Sequence, residues 1–286
     1  MRRHELTDQE WELLAPLIPR AATGRPRMED RQVVNGMVYK IRTGISWRDL
    51  PERYGSWQTV YTRFRRYALD GVFTRALQQI QARADAAGDV DWLVQIDSTI
   101  VRAHQHAAMT GRKGGSTGRT NRKDHALGRS RGGLTTKIHL ACDGKGRPLA
   151  ILLTPGQRYD SICARPLLER IRVPRTGQGR PRCRPDQVVA DKAYSSRSFR
   201  AYLRRRGIAC TIPEKNDQRR HRHNRGRHGG RPPAFDRQIY RRRNVVERCF
   251  NQLKGFRGIA TRYDKTAASY EAAVSLASFL LWARSV

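Results

Sequence analysis

Acidic residues are scarce in this sequence. The 286 residues include 25 aspartates and glutamates against 57 lysines and arginines, which gives a formal net charge of +32. A charge of this size is far beyond the modest net charge that solubility requires. It predicts a polyanionic partner, and we favour nucleic acid as that partner.

Long apolar runs and paired cysteines are also missing. No run approaches the roughly 18 apolar residues of a membrane-spanning helix, and the first residues, MRRHELTDQEWELL, lack the apolar stretch of a signal peptide. The five cysteines are scattered and never spaced as C-x-x-C, which argues against a disulfide framework and against a zinc site. The sequence therefore predicts a protein of the reduced cytoplasm with no membrane partner.

Residues 1–88 have the pattern of a helical domain. Thr7 is a predicted N-cap of the first helix, and the segments RQVVNGMVYKIRTG and WQTVYTRFRRYALDG show apolar residues at helical spacing. The first of these segments ends at Gly44, and Ser56 is the predicted cap of the second. Helix, short turn and helix together resemble a helix-turn-helix, so this domain is predicted to bind DNA.

Arginines of this domain are the candidate DNA contacts. They are Arg63, Arg65 and Arg66 on the second helix, and Arg25 and Arg27 in the preceding GRPR tract. The first three could contact base edges and phosphates in a major groove, although a solvated basic face on a helical bundle explains them equally well. The GRPR tract could enter a minor groove or could simply link two segments.

Residues 89–286 read as an α/β domain. Five short apolar runs bounded by turn residues predict buried strands: WLVQIDST, LTTKIHLAC, PLAILLTP, DQVVADKAY and GIACTIP. Helices predicted between the later runs give the order three strands, helix, strand, helix, strand, helix, which matches a ribonuclease-H-like mixed sheet. Asp143 is the predicted turn residue of the first hairpin, and Asp160 is the predicted cap of the crossover helix.

Two basic, glycine-rich insertions interrupt the α/β pattern, at about 102–133 and 214–239. Residues 102–137 contain nine lysines or arginines against one acid, and residues 204–243 contain fourteen against three. Each is predicted to be a solvated loop unless a polyanion orders it.

Three acids are the candidate catalytic residues. Asp97 and Asp191 each follow a predicted buried strand, and the two strands would be neighbours in the sheet. On a continuous helix starting at Tyr240, Glu247 would share one edge with Tyr240, Arg243 and Lys254, at the margin of an apolar face. Converging carboxylates are the ligands that Mg²⁺ or Mn²⁺ requires. Taken alone, the helix is explained as an amphipathic helix with an internal Arg243–Glu247 ion pair.

The spacing Tyr240-x₂-Arg243-x₃-Glu247-x₆-Lys254 resembles the signature of the DDE transposases of insertion sequences in the fourth and fifth families. RNVVERCFN at 243–251 and RYDKT at 262–266 are most similar to the fifth family. Further similar blocks are IDST at 96–99 with RAH at 102–104, ADKAY at 190–194, GRSRGG at 128–133, LTD at 6–8, GRPR at 24–27 and WRDLP at 47–51. The resemblance covers nearly the whole chain.

The resemblance implies a function and a site. Asp97, Asp191 and Glu247 would bind two divalent metal ions, Mg²⁺ or Mn²⁺, while Tyr240, Arg243 and Lys254 would hold phosphates of the transposon end. The activity implied is cleavage at the ends of an insertion sequence and direct transfer of the 3′-hydroxyls to target DNA. Two protomers would pair two ends, so a homodimer or higher oligomer in a synaptic complex at the bacterial nucleoid is expected.

Two other functions are compatible with the sequence. One is a DNA-binding protein that has lost its chemistry, and the other is a ribonuclease-H-like nuclease that does not transfer strands. Among the lesser candidates, the pairs His104/His106 and His221/His223 suggest DNA contact or solvation rather than metal ligation, because neither has a nearby acid or thiol in its loop. Ser98 and Ser195 lack the partners that a serine nucleophile needs.

Overall fold

The computed structural model describes residues 4–19, 27–107, 125–130 and 133–285. The helices, in chain order, are α1 (Asp8–Leu14), α2 (Asp30–Thr43), α3 (Trp57–Leu69), α4 (Val72–Ala86), α5 (Asp160–Glu169), α6 (Arg197–Arg205), α7 (Asn216–Asn224), α8 (Arg237–Arg241), α9 (Asn244–Lys254), α10 (Arg257–Ala260) and α11 (Ala267–Ala283). The strands are β1 (Leu93–Ala103), β2 (Gly128–Ser130), β3 (Gly133–Cys142), β4 (Pro148–Pro155), β5 (Gln187–Val189), β6 (Ala209–Thr211) and β7 (Thr261–Arg262). A helical first part followed by a mixed α/β part confirms the predicted fold class at this level.

Local sequence signals explain where several helices begin and end. The Thr7 hydroxyl accepts a hydrogen bond from the Glu10 N–H while the Glu10 carboxylate accepts from the Thr7 N–H, so α1 starts with a complete capping box. Gly44 ends α2 in the left-handed conformation with φ of 74°, a conformation that glycine adopts at no steric cost. Ser56 does precede α3, but its hydroxyl donates to Gln58 and does not cap the helix.

The connection between α2 and α3 differs from the prediction. Residues 44–56 separate the two helices and contain two 3₁₀ turns, Trp47–Asp49 and Glu52–Tyr54. The turn of a helix-turn-helix is only about three or four residues long, so the predicted short turn is wrong. The DNA-binding role of these helices stays a prediction.

The strands form one mixed sheet of order β2–β3–β1–β5–β6, with β4 also paired to β3 and β7 to β1. Strands β3 and β4 run antiparallel as a hairpin, and β3 is antiparallel to β1. Strands β5 and β6 are parallel to β1 and to each other, as helical crossovers require. Three antiparallel strands followed by two parallel ones is the arrangement that the strand order of the sequence predicts.

Helix α11 joins the two parts of the chain. It is buried on nearly all sides, as expected of a helix that is apolar all round, and it packs against α3, α4 and β4. Its Trp282 indole donates to the Pro148 carbonyl oxygen at 2.6 Å, and the Gln81 amide of α4 donates to the same oxygen at 3.0 Å. Buried residues of both parts therefore belong to one hydrophobic cluster. Across the ranges described, no helix is long and apolar enough to cross a membrane.

Candidate active site

Asp97 and Asp191 are neighbours in the sheet, although Asp97 lies within the central strand β1 and does not follow it as predicted, while Asp191 lies just past the end of β5. In the parallel pairing of β1 with β5, Gln95 is opposite Val189. Two further residues along each chain bring Asp97 beside Asp191, since adjacent strands are about 4.8 Å apart. Asp191 follows β5 directly and caps a 3₁₀ turn, its carboxylate accepting from the Ala193 N–H at 2.8 Å.

Glu247 joins this pair through an arginine. It lies in the first turn of α9, and its carboxylate accepts a hydrogen bond from Arg243 Nη2 at 2.6 Å. Arg243 Nη1 also contacts Asp97 Oδ2, at 3.3 Å. One guanidinium group therefore lies between two of the three acids.

The helix that carries Glu247 is shorter than predicted. Helix α8 ends at Arg241, and α9 begins at Asn244 after a turn at Arg242 and Arg243. Tyr240 is thus on a different helix from Glu247, and the single continuous helix was wrong. Asp236 explains the separate start of α8, because its carboxylate caps the N–H groups of Gln238 and Ile239.

One face of β1 supports α9 with three side chains. Gln95, Asp97 and Thr99 alternate along the strand and so point to the same side. The Gln95 amide oxygen accepts from the Val246 N–H at 3.2 Å, and Lys254 Nζ donates to the Thr99 hydroxyl at 2.6 Å. Gln95 is fully buried and binds the backbone one residue before Glu247, so it is a positioning residue that the sequence reading missed. A glutamine inside an apolar strand was the available signal.

Asp97 is held in an environment that disfavours its charge. Burial, followed by the charges of Asp191 and Glu247, raises its pKa to about 6, against the opposing effects of the Ser98 N–H and Arg243. A desolvated carboxylate beside two others is a site that a cation would stabilise.

Asp160 lies behind Asp97 and does not cap α5, contrary to the prediction. Its carboxylate accepts from the Ser98 hydroxyl at 2.7 Å and from Lys137 Nζ at 2.9 Å. The Ser98 N–H in turn donates to Asp97 Oδ1 at 2.8 Å. Ser98 therefore connects Asp97 to a half-buried ion pair on the other face of β1. Asp143 is a turn residue as predicted, accepting from the Lys145 and Arg147 N–H groups.

The predicted DNA contacts of the helical part are in different settings. Arg63 forms a half-buried ion pair with Asp30 at 2.9 Å, which gives it a structural partner. Arg65 and Arg66 are exposed, and Arg27 is paired with Asp30 at 2.7 Å. Arg25 lies outside the described residues, as does most of the basic segment 102–133.

The histidine pairs are not gathered into a metal centre. The His104 ring packs on His106 and Tyr263, with centroids 4.5 and 4.9 Å away, while His221 and His223 are exposed on α7. In the parts of the chain that the structure describes, no three His, Cys, Asp or Glu side chains are grouped as metal ligands. That includes the three acids, since Glu247 is turned towards Arg243.

Residues 89–282 match the family model described as "Transposase DDE domain". The protein belongs to the DDE transposases. Residues 6–77 match a second model, "Putative transposase of IS4/5 family". Insertion-sequence transposases are thus the family in which this chain is placed, as its motifs predicted.

One curated relative carries the name of an insertion-sequence transposase. The "Putative transposase for insertion sequence element IS6501" of Brucella ovis is 32% identical over 53% of this chain and 100% of its own length. The "Uncharacterized protein y4sN" of Sinorhizobium fredii is 41% identical over 38% of this chain and 86% of its own. A Mos1 transposase paired-end complex with the left transposon end covers 83% of this chain and 82% of its own at 12% identity, and its TM-score of 0.25 is too low to establish a shared fold.

DDE transposases use divalent metal ions, and the donor set of this transposase fits such ions. Three carboxylates supply the hard oxygen ligands that Mg²⁺ and Mn²⁺ prefer. The pKa of Asp97 is raised first by burial and then by the charges of Asp191 and Glu247, which Arg243 offsets only in part. The fit concerns the chemistry of the three carboxylates and not their present arrangement. To bind a metal ion, Glu247 would have to give up its ion pair with Arg243.

The electrostatics of Asp97 predict how stability depends on pH without metal. A carboxyl group whose folded pKa exceeds its unfolded value of about 3.9 binds more protons when folded. Its contribution is therefore largest below about pH 4 and falls as pH rises to about 6. We expect urea unfolding in EDTA to show wild type losing roughly 2 to 3 kcal/mol relative to Asp97→Asn across this range. Parallel stability curves for the two proteins would contradict the raised pKa.

Proposed function

We propose that this transposase binds the terminal inverted repeats of an insertion sequence, cleaves the DNA at the ends of the element and joins the 3′-hydroxyls to target DNA. The observation that supports the proposal is that Arg243 bridges Asp97 and Glu247 while the parallel register of β1 and β5 brings Asp191 beside Asp97, in a chain that belongs to the DDE transposases. Double-stranded DNA is then the substrate at both steps.

Asp97, Asp191 and Glu247 would bind two divalent ions, Mg²⁺ or Mn²⁺. When bound, two such ions activate an attacking oxygen and stabilise a leaving one in an in-line displacement at phosphorus. The Ser98 N–H, which donates to Asp97, and the Gln95 side chain, which accepts from α9, would keep the carboxylates oriented, since a reacting centre tolerates little misplacement.

The cations beside the acids would bind DNA phosphates. Three carboxylates repel a phosphodiester, so a strand can approach only if nearby positive charge compensates. Arg243 and Lys254 are next to Asp97 and Thr99 respectively, and Tyr240 lies near the end of α8, three residues before Arg243. We assign these three residues to the phosphates of the cleaved strand.

The two parts of the chain would have different roles. Residues 1–88 would form the end-binding domain, with Arg25, Arg27, Arg63, Arg65 and Arg66 as its candidate contacts, and residues 89–286 would form the catalytic domain. Because two ends must be joined to one target, two or more copies would assemble in a synaptic complex.

The test is a strand-joining assay with a labelled, pre-cut end and supercoiled plasmid. We expect joined product with Mg²⁺ or Mn²⁺ and none in EDTA. Degradation of the plasmid without joining would indicate a nuclease, and tight DNA binding without cleavage or joining would indicate a silent DNA-binding protein. Either result would reject the proposal.

A further inference from the structure

Residues 215–231, which we name the basic arm, have a composition that a folded segment rarely has. These seventeen residues contain seven lysines or arginines, three histidines, one acid and no aliphatic or aromatic hydrophobic residue. The arm folds into α7 and a 3₁₀ turn, Gly226–Gly229, and neither has a buried residue. Helices this short are marginal in water without an apolar face to pack, so burial of hydrophobic surface does not explain the arm.

The arm nevertheless has a defined shape that rests on polar contacts. The Gln218 amide donates to the Ser195 carbonyl oxygen at 2.7 Å and accepts from the Ser195 hydroxyl at 2.8 Å. Arg222 forms an ion pair with Glu214. The 3₁₀ turn packs so closely on α7 that a Cβ at Gly229 would lie 2.1 Å from the Arg222 carbonyl oxygen. The arm is therefore held in place, although it contributes nothing to the core.

The positive charge of the arm has no acidic partner in the fold. The exposed arginines Arg219, Arg220, Arg225, Arg227 and Arg231 contact no carboxylate in the described part of the chain. Like charges three or four residues apart on a helix destabilise it, and Arg219 and Arg222 have this spacing. A surface that concentrates unpaired guanidinium groups at this cost is typical of one that binds a polyanion.

The position of the arm relates it to the candidate active site. Its anchor, Ser195, ends the 3₁₀ turn that Asp191 begins, and its far end continues through α8 to Arg243. The arm thus connects the chain segments that carry two of the three acids. The anchored end of the arm is thus hydrogen-bonded to the turn that Asp191 begins.

We infer that the basic arm binds the phosphate backbone of duplex DNA beside the active site, without reading its sequence. The inference rests on the proposed function, which supplies the reason for DNA binding beside the active site. DNA binding by the arm can nevertheless be measured without DNA cleavage or joining. Exposed guanidinium groups with no acidic partner in the described part of the chain suit phosphate contacts, whereas base readout requires fixed bidentate geometry.

The test measures binding of a fluorescent duplex that lacks any element end, in EDTA, at salt concentrations between 50 and 200 mM. The triple variant Arg219→Ala/Arg220→Ala/Arg225→Ala should lower the slope of log affinity against log salt by up to about 2.7, at about 0.9 per phosphate contact. Over this range its affinity should then fall about 40-fold less than that of wild type.

The matched control is the triple variant Arg83→Ala/Arg172→Ala/Arg184→Ala. It removes the same charge from exposed positions outside the basic arm. We expect its slope to equal that of wild type. Equal slopes for the two triple variants would overturn the inference. If wild type joins DNA while the arm variant keeps the wild-type salt slope, only the arm inference fails. If wild type joins no DNA while the salt slope of the arm variant falls, only the proposed function fails.

Discussion

Replacing Glu247 with glutamine should abolish DNA cleavage and joining while leaving the fold intact. The Glu247 side chain is 49% exposed, and its ion pair with Arg243 lies at the protein surface, where such pairs contribute at most about 1 kcal/mol. Glutamine can still accept the Arg243 hydrogen bond. If Glu247 binds metal, however, its loss should cost several kcal/mol of transition-state stabilisation, or at least about a thousand-fold in rate.

The chain contains a matched control for Glu247→Gln. On α5, Arg165 and Glu169 form another Arg–Glu pair with the same four-residue spacing, and Glu169 is 44% exposed. Glu169→Gln should therefore change stability by a similar amount and leave joining unaffected. Joining rates and urea unfolding of both variants would be compared with wild type. Comparable activity in the two variants would mean that the Arg243–Glu247 pair is only structural, and the assignment of the third acid would be lost.

Much of the sheet was predictable because its strands are buried on both faces. Parallel strands of this kind appear as short apolar runs, and the acids Asp97 and Asp191 stand where such runs end. Their proximity follows from parallel register alone. The break between α8 and α9 was not predictable from periodicity, because the apolar spacing of α9 continues almost in phase with that of α8. The Asp236 cap marks only the start of α8. The helical spacing therefore placed Arg243 beside Glu247 correctly. It wrongly placed Tyr240 on the same helix as Glu247.

The supporting residues were harder to predict, because their roles depend on contacts between distant segments. Asp160 looks like a helix cap by its position, yet it binds Ser98 and Lys137 from two strands. Arg63 lies on a helix predicted to contact DNA, and it also pairs with Asp30. In both cases the side chain has a partner from a distant segment, which the local sequence pattern does not show.

The RYDKT block at 262–266 is another segment whose contacts are not evident from its local sequence. It is similar to transposase sequences, but the contacts of its Arg262 are structural. Arg262 is fully buried, and its guanidinium donates to the Thr136 hydroxyl at 2.6 Å and to the carbonyl oxygens of Ala126, Asp264 and Lys265. Burial lowers its pKa to about 10. Its backbone pairs with Ala103 of β1, so one residue ties β3, β1 and the start of α11 together.

Arg262→Met should accordingly be the most destabilising of the substitutions considered. Methionine fills part of the volume but leaves the carbonyl oxygens of Asp264 and Lys265 without this donor, while that of Ala126 keeps the Thr136 hydroxyl. Unsatisfied buried groups of this kind cost about 1 to 3 kcal/mol each. We expect a total loss of roughly 3 to 5 kcal/mol, a large part of the roughly 5 to 15 kcal/mol that stabilises a typical domain. Urea unfolding would measure it against Arg204→Met, an exposed arginine on α6. A loss no greater than that of Arg204→Met would show that the network around Arg262 contributes little, and a catalytic or DNA-binding role for the RYDKT block would then need to be reconsidered.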